Sequence, residues 1–211
     1  MELTKIKNII FDLGGVIINI DYNKSIEELQ KLCKDDCQVQ YSQKEQSHLF
    51  DLFETGDSTP EDFRNDLRKT YQMRDVTDQQ IDDAWNAMLL DIPQERIDLL
   101  KELSKKYRIF LLSNTNAIHL EAFNKIVQRS FSIPSLDSLF EEAYYSHLVG
   151  KRKPDAVIFE MILNQHNLSK DETLFIDDSI QHIKSAKEVG IHTLHLQPPL
   201  TINEFFADEA V

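Results

Sequence analysis

The chain is poor in cysteine, in basic blocks and in long apolar runs, and each shortage narrows what it can be. Only Cys33 and Cys37 occur among 211 residues. They lie four apart in a segment that reads as helical, where a disulfide across one turn is geometrically awkward. Two thiols without nearby histidines also make a poor zinc site. The expectation is a pair of free thiols in a reducing compartment. Formal net charge is −13 with no basic block, which argues against nucleic acid or an anionic membrane surface as a partner. No apolar run approaches a membrane span, and residues 1–6 lack a secretory signal's pattern, so the cytoplasm is the expected location. Internal repeats, low-complexity stretches and long linkers are absent too, and no obligate protein partner is indicated.

What is present describes a soluble globular protein. Hydrophobic residues make up 41% and charged residues 28%, which argues against disorder. The length suits one core domain with a sizeable insertion. Residues 6–11 form a short β-branched run that ends at Asp12, a first core strand. From about 23 to 90 the spacing turns helical, with Ile26, Leu29 and Leu32, then Leu49, Leu52 and Phe53, then Phe63, Leu67 and Tyr71, then Ile81, Trp85, Met88 and Leu89. Thr59-Pro60-Glu61-Asp62 and Thr77-Asp78-Gln79-Gln80 read as helix starts, the second a capping box. The expectation is a four-helix cap domain over 21–92, inserted into a core made of 1–20 and 93–211.

After Pro93 the pattern alternates. Helices are expected over 94–106, 116–128, 155–166 and 179–189, and strands at Arg108–Leu112, Ala143–Ser146, Thr173–Ile176 and His192–Leu196. This alternation implies an α/β fold, a doubly wound, Rossmann-like parallel sheet with helices on both faces. Open sheets of this kind place ligands at the C-terminal strand ends. Three polar segments stand there: Asp12-Leu13-Gly14-Gly15, Ser113-Asn114-Thr115-Asn116 and Asp177-Asp178. A fourth, Gly150-Lys151-Arg152-Lys153-Pro154-Asp155, precedes a helix.

Each residue type suits one task. A carboxylate at Asp12 can attack phosphorus and form an aspartyl-phosphate, although a turn or helix-cap aspartate is the plain alternative. The Ser113 hydroxyl and the Asn114 backbone amide can hold phosphoryl oxygens, unless Ser113 caps the next helix, a job open also to Thr115 or Asn116. Lys153, set before proline, offers an ammonium, with Lys151 and Arg152 as nearby competitors. Adjacent carboxylates such as Asp177 and Asp178 repel unless a cation or proton sits between them, which suits oxygen-ligated Mg²⁺.

In this order the four segments resemble the motifs of the haloacid dehalogenase-like hydrolase superfamily, most of whose members are magnesium-dependent phosphatases. The resemblance runs from about Ile6 to about Leu196. It implies Asp12 as nucleophile, Lys153 on the phosphoryl group, and Ser113 and Asn114 as phosphate ligands. It implies Mg²⁺ held by Asp12, the Gly14 carbonyl and Asp178, with Asp177 bound directly or through water. The paired acids count against the metal-independent dehalogenase branch. The implied reaction is phosphate monoester hydrolysis of a small phosphorylated metabolite.

Gly14 departs from the family pattern, where a second aspartate usually protonates the leaving oxygen. Such acid–base help is worth roughly 10²–10⁴-fold. A leaving group of low pKa, such as a sugar 1-phosphate's anomeric hydroxyl, needs it less, and the local string resembles a subgroup with an α-D-glucose-1-phosphate phosphatase. The glycine is also the best support for a non-catalytic binding protein on the same scaffold. Asp21 is read as a turn or hinge residue before it is read as a substitute acid. His119, His147, His166, His182, His192 and His195 lack ligand spacing and are read as structural or surface.

Overall fold

Unbroken apolar runs make strands that are covered on both faces, and among the described residues the computed structural model has a five-stranded sheet whose three central strands are of this kind. It describes residues 3–34, 37–39, 41 and 48–207. The strands are β1 (Asn8–Phe11), β2 (Arg108–Ser113), β3 (Glu142–Tyr145), β4 (Thr173–Asp177) and β5 (His192–His195). All pair in parallel in the order β3-β2-β1-β4-β5. The chain works outward from β1 to β3 and then returns to the other side of β1, so the order reverses between β1 and β4. Loops at such a point diverge and leave a crevice at the C-terminal strand ends.

Alternate strand residues face opposite layers. Ile9, Phe11, Ile109, Leu111, Leu174 and Ile176 pack in one cluster with residues of α5 (Gln94–Leu103), α6 (Ala117–Phe131) and α10 (Ile202–Phe205). Ile10, Phe110, Leu112 and Phe175 face α8 (Ala156–Gln165) and α9 (Ile180–Val189). The short α7 (Ser146–Val149) follows β3 directly. Neither α7 nor α10 is legible in the apolar spacing.

Between β1 and β2 the chain builds α1 (Tyr22–Lys31), α2 (His48–Glu54), α3 (Pro60–Thr70) and α4 (Asp78–Asn86). These helices share a separate core that includes Leu29, Phe50, Phe53, Phe63, Ile81 and Trp85. Its centre is aromatic, with Phe53 stacked on Phe63 at 4.1 Å and Phe50 on Trp85 at 5.2 Å. Both expected helix starts are present. Thr59 accepts from Asp62 N with Pro60 behind it, and Thr77 and Gln80 form the capping box. Asp21 caps α1 by accepting from Asn23 N, a turn role in agreement with its sequence context.

Two linkers join this helical unit to the sheet and run antiparallel to each other. Asn19 N donates to Asp91 O, Leu90 N to Asn19 O and Asp21 N to Met88 O, each at 2.9 Å. Ile20 and Leu89 sit opposite in this two-chain ribbon.

Two sequence expectations need correction. Cys33 and Cys37 are not free: they form a disulfide with Cα atoms 6.1 Å apart, inside the range such bonds span. The objection to pairing assumed a helix through both residues, but α1 ends at Lys31 with its C-cap at Leu32. The support that free thiols gave to a reducing compartment is thereby removed. Second, the helix expected over 155–166 begins one residue later, at Ala156, because Asp155 caps it by accepting from Val157 N. Among the described residues no helix is long and apolar enough to cross a membrane.

Candidate active site

Asp12 leaves the end of β1, where its backbone N–H still donates to Ile176 O of β4. Asp177 closes β4, and Asp178 follows it. Ligand oxygens of Asp12, Asp177 and Asp178 all lie within 4.8 Å of one another. Lys153 has no exposed surface, and its Nζ donates to Asp12 Oδ1 at 2.6 Å and to Asp177 Oδ2 at 2.7 Å. A buried ammonium thus spans two buried carboxylates, and the third lies beside them.

The sharp turn after Asp12 depends on Gly15. Its φ of +70° favours glycine, and an added Cβ would lie 2.4 Å from Asp178 Oδ2. The two acidic segments can therefore close on each other only across a residue without a side chain. Gly14 differs: an added Cβ would meet Ile20 Cδ1 at 2.9 Å. Ile20, from the linker ribbon, fills the space that a side chain at position 14 would enter.

Lys153 is held by its backbone as well as its charge. Asn114 Oδ1 accepts from Lys153 N at 2.9 Å, and Asn114 Nδ2 donates to Lys153 O at 2.8 Å. The Asn114 side chain is therefore a clamp on the lysine, a role its motif did not suggest. The same loop is pinned at Thr115, whose N–H donates to Ser146 Oγ while that hydroxyl donates back to Thr115 O. Ser113 ends β2 and is buried. Asn116, one of the candidates for the helix cap, does cap α6 by accepting from His119 N.

The charges are strongly coupled. Burial, with Asp177 and Asp178 adding to it, pushes the Asp12 carboxyl up to about 8, against the pull of Lys153. Asp177 is also disfavoured by burial, yet Lys153 and His182 hold it below the usual carboxylate range. Burial opposes the Lys153 ammonium, but Asp12 and Asp177 raise its pKa all the same. Three carboxylates against one lysine leave negative charge in a dry place, and a divalent cation is the natural complement. Asp12, Asp177 and Asp178 are the groups that would hold it.

A cavity of about 70 Å³ opens above these groups, lined by Asp12, Gly14, Ser113, Asn114 and Lys153 from the sheet side. Tyr22, Tyr41, Glu54 and Met88 of the helical unit form the opposite wall. Glu54 is 4% exposed, accepts from Tyr41 Oη at 3.1 Å and pairs with Arg152 Nη2 at 3.0 Å. Burial, then Asp178 and Asp12, push the Tyr22 phenol well above its ordinary pKa, so it stays protonated. No motif pointed to these wall residues.

Two histidines also enter the cavity. His182 lies 3.0 Å from Asp177 Oδ2 through Nδ1, so it belongs to the site and not to the surface. His119 stacks on Trp85 at 4.8 Å, and its Nε2 lies 3.1 Å from Trp85 O. Burial drops its pKa to about 4, so the neutral ring donates from Nε2 and accepts from Asn116 Nδ2 at Nδ1. His147, His166, His192 and His195 make structural contacts, the last 2.9 Å from Asp178 O.

A carboxylate cluster and a lysine at the switch point of a parallel sheet, under a helical insertion, define a hydrolase architecture that comparison with known proteins identifies. The family model for haloacid dehalogenase-like hydrolases matches residues 9–196, and the chain belongs to that family. It is similar to a D-ribitol-5-phosphate phosphatase of Bacteroides thetaiotaomicron, 31% identical over 188 residues, covering 89% of this chain and 90% of that protein. A sesquiterpene phosphatase of Aspergillus oryzae is 26% identical over 203 residues, covering 93% of each. A crystal structure of a family enzyme from Bacteroides thetaiotaomicron, an aspartate-to-alanine mutant complexed with magnesium and inorganic phosphate, superposes with a TM-score of 0.89. It is 35% identical and the match covers 95% of this chain and 98% of that one. A family hydrolase from Porphyromonas gingivalis superposes at 0.86, with 32% identity and 98% of each chain covered.

Proposed function

We propose that the protein is a magnesium-dependent phosphatase acting through an aspartyl-phosphate on a small phosphorylated sugar or sugar alcohol. The observation that carries this reading is the bridging of buried Asp12 and Asp177 by Lys153, with Asp178 close enough to complete a cation site. The phosphatase relatives and the magnesium- and phosphate-bound neighbour support it.

In the first step an Asp12 oxygen attacks phosphorus in line as the ester P–O bond breaks and the alcohol oxygen departs. In the second, water attacks the same phosphorus, phosphate leaves and the Asp12 carboxylate is regenerated. Lys153 neutralises charge on Asp12 before attack and on phosphoryl oxygens after it, while Asn114 fixes its backbone. The Ser113 hydroxyl and the Asn114 backbone N–H take phosphoryl oxygens in this reading. Bound magnesium supplies charge neutralisation at the phosphoryl group. The helical unit excludes water from the cavity during the first step.

Nothing at position 14 protonates the leaving oxygen, and Asp21 is occupied as a helix cap outside the cavity lining. A sugar 1-phosphate, with its more acidic leaving hydroxyl, fits that lack. A 5-phosphate, as in the relative's name, would leave as a primary alkoxide. The deciding experiment is a panel of aryl, sugar 1-phosphate and sugar or polyol 5-phosphate esters, with Mg²⁺ and with excess chelator. A steep fall of log(kcat/KM) with leaving-group pKa favours 1-phosphates, and a flat plot means another group delivers the proton. Full turnover in chelator, or none on any ester with Mg²⁺, overturns the reading.

A further inference from the structure

We propose that Glu54 selects the organic part of the substrate, accepting hydrogen bonds from the hydroxyl groups of a short, otherwise uncharged phosphate ester. This rests on the phosphatase reading and assigns its specificity to one residue of the helical unit.

Glu54 is a buried acid in a unit whose core is otherwise aromatic and aliphatic. It lines the cavity that also holds Asp12 and Lys153. Burying an ionised carboxylate is costly unless it is paired and hydrogen-bonded, and here both conditions hold. The Tyr41 hydroxyl donates to Oε1, and the Arg152 guanidinium stands against Oε2. Arg152 also reaches Asp51, so the pair is braced between α2 and the loop that carries Lys153. A carboxylate held in one orientation on a cavity wall is a fixed acceptor, and its complement is a donor.

Charge decides which donor. Asp12, Asp51, Glu54, Asp177 and Asp178 stand against Lys153 and Arg152, so one divalent cation leaves this set near neutrality, with one negative charge over. The transferring phosphate is then the anion the site takes. A second phosphate or a carboxylate on the organic part would meet Glu54 and be repelled. An ammonium would meet Arg152 beside it. Hydroxyls satisfy Glu54 without either penalty. Size points the same way: the cavity between the two walls is narrow, which suits a short chain.

The test is calorimetric binding to the Asp12→Asn protein with Mg²⁺, which removes turnover; the related aspartate-to-alanine mutant still holds magnesium and phosphate. The ligands are inorganic phosphate, ethyl phosphate, D-ribitol 5-phosphate and decyl phosphate. Ribitol 5-phosphate should bind at least about tenfold more tightly than ethyl phosphate, and adding Glu54→Gln should remove about tenfold of that margin. Tyr41→Phe, which keeps the ring and removes only the hydroxyl that orients Glu54, should lower the margin about threefold and serves if the Glu54 variant fails to fold. A margin that survives both changes overturns the inference. So does an equal fall for all ligands, which makes Glu54 a structural brace, and so does decyl phosphate binding most tightly. If inorganic phosphate does not bind with Mg²⁺, the phosphatase reading itself fails; phosphate binding without a hydroxyl preference defeats the specificity claim alone.

Discussion

The two walls of the cavity are built on different rules. On the sheet side the polar groups, apart from Lys153 in the loop before α8, sit at or just past a strand end: Asp12 after β1, Ser113 at the end of β2, Asp177 closing β4. Hydrogen bonds in register fix those ends to one another. On the opposite wall Tyr22 starts one helix, Glu54 ends another, and Tyr41 lies on neither. Their positions follow from how aromatic rings stack around Trp85. In the proposed reading the first wall holds the phosphoryl chemistry and the second contacts the organic part of the substrate.

The largest expected effect tests the sheet wall alone. Asp12→Asn should lower kcat by about 10³-fold or more while the thermal midpoint stays within a few degrees. An active Asp12→Asn enzyme would end the comparison, since the shared wall would not hold the nucleophile.

The helical wall should respond in stability before chemistry. Phe63→Ala removes a fully buried ring stacked on Phe53 and should cost about 3–5 kcal/mol in urea denaturation. Calorimetric magnesium affinity in native buffer should not change. A parallel loss of metal binding would mean that the two walls are one cooperative site.

His119 belongs to α6 but donates to Trp85 O of α4, so it reports the contact between the walls. Its folded pKa of about 4 lies below the ordinary histidine value of 6.5. The unfolded chain therefore binds a proton first as pH falls, and stability is lost between pH 6.5 and 4, by about 3 kcal/mol at most. Denaturation midpoints of wild type and His119→Gln across that window should converge at low pH. Parallel curves would refute the assignment.

Gly14→Ala should have the smallest effect. The new methyl meets only the flexible end of Ile20, so stability should fall by less than about 1 kcal/mol and kcat/KM by a few-fold. The same change at Gly15 should be far worse, because it combines a left-handed backbone with the Asp178 carboxylate. Measuring both by thermal melts separates a filled space from a forbidden one.

The sheet wall was legible because β-branched and aromatic runs mark buried strands, and a polar residue at the end of such a run is conspicuous. Caps at Thr59 and Thr77 were legible for the same local reason. Glu54 was not: its neighbours in sequence are His48 to Phe53, and nothing there distinguishes it from a solvated acid. Its burial depends on Arg152, about a hundred positions away. The disulfide was misjudged because the end of α1 at Lys31 carries no glycine or proline to announce it. Asn114 was placed in the right loop and given an incomplete task, since its side chain binds a backbone that only the fold brings near.

The paired linkers at Asn19–Asp21 and Met88–Asp91 have a mechanical meaning. Three main-chain hydrogen bonds tie them into a ribbon, which bends across its plane far more easily than it shears along its length. A unit hung on such a ribbon would swing most easily about one axis and keep its register with the sheet. Any swing of the helical unit about this ribbon would leave Ile20, itself part of the ribbon, beside Gly14 and would carry Glu54 and Tyr41 toward or away from the sheet wall, as a hinged lid meets its rim.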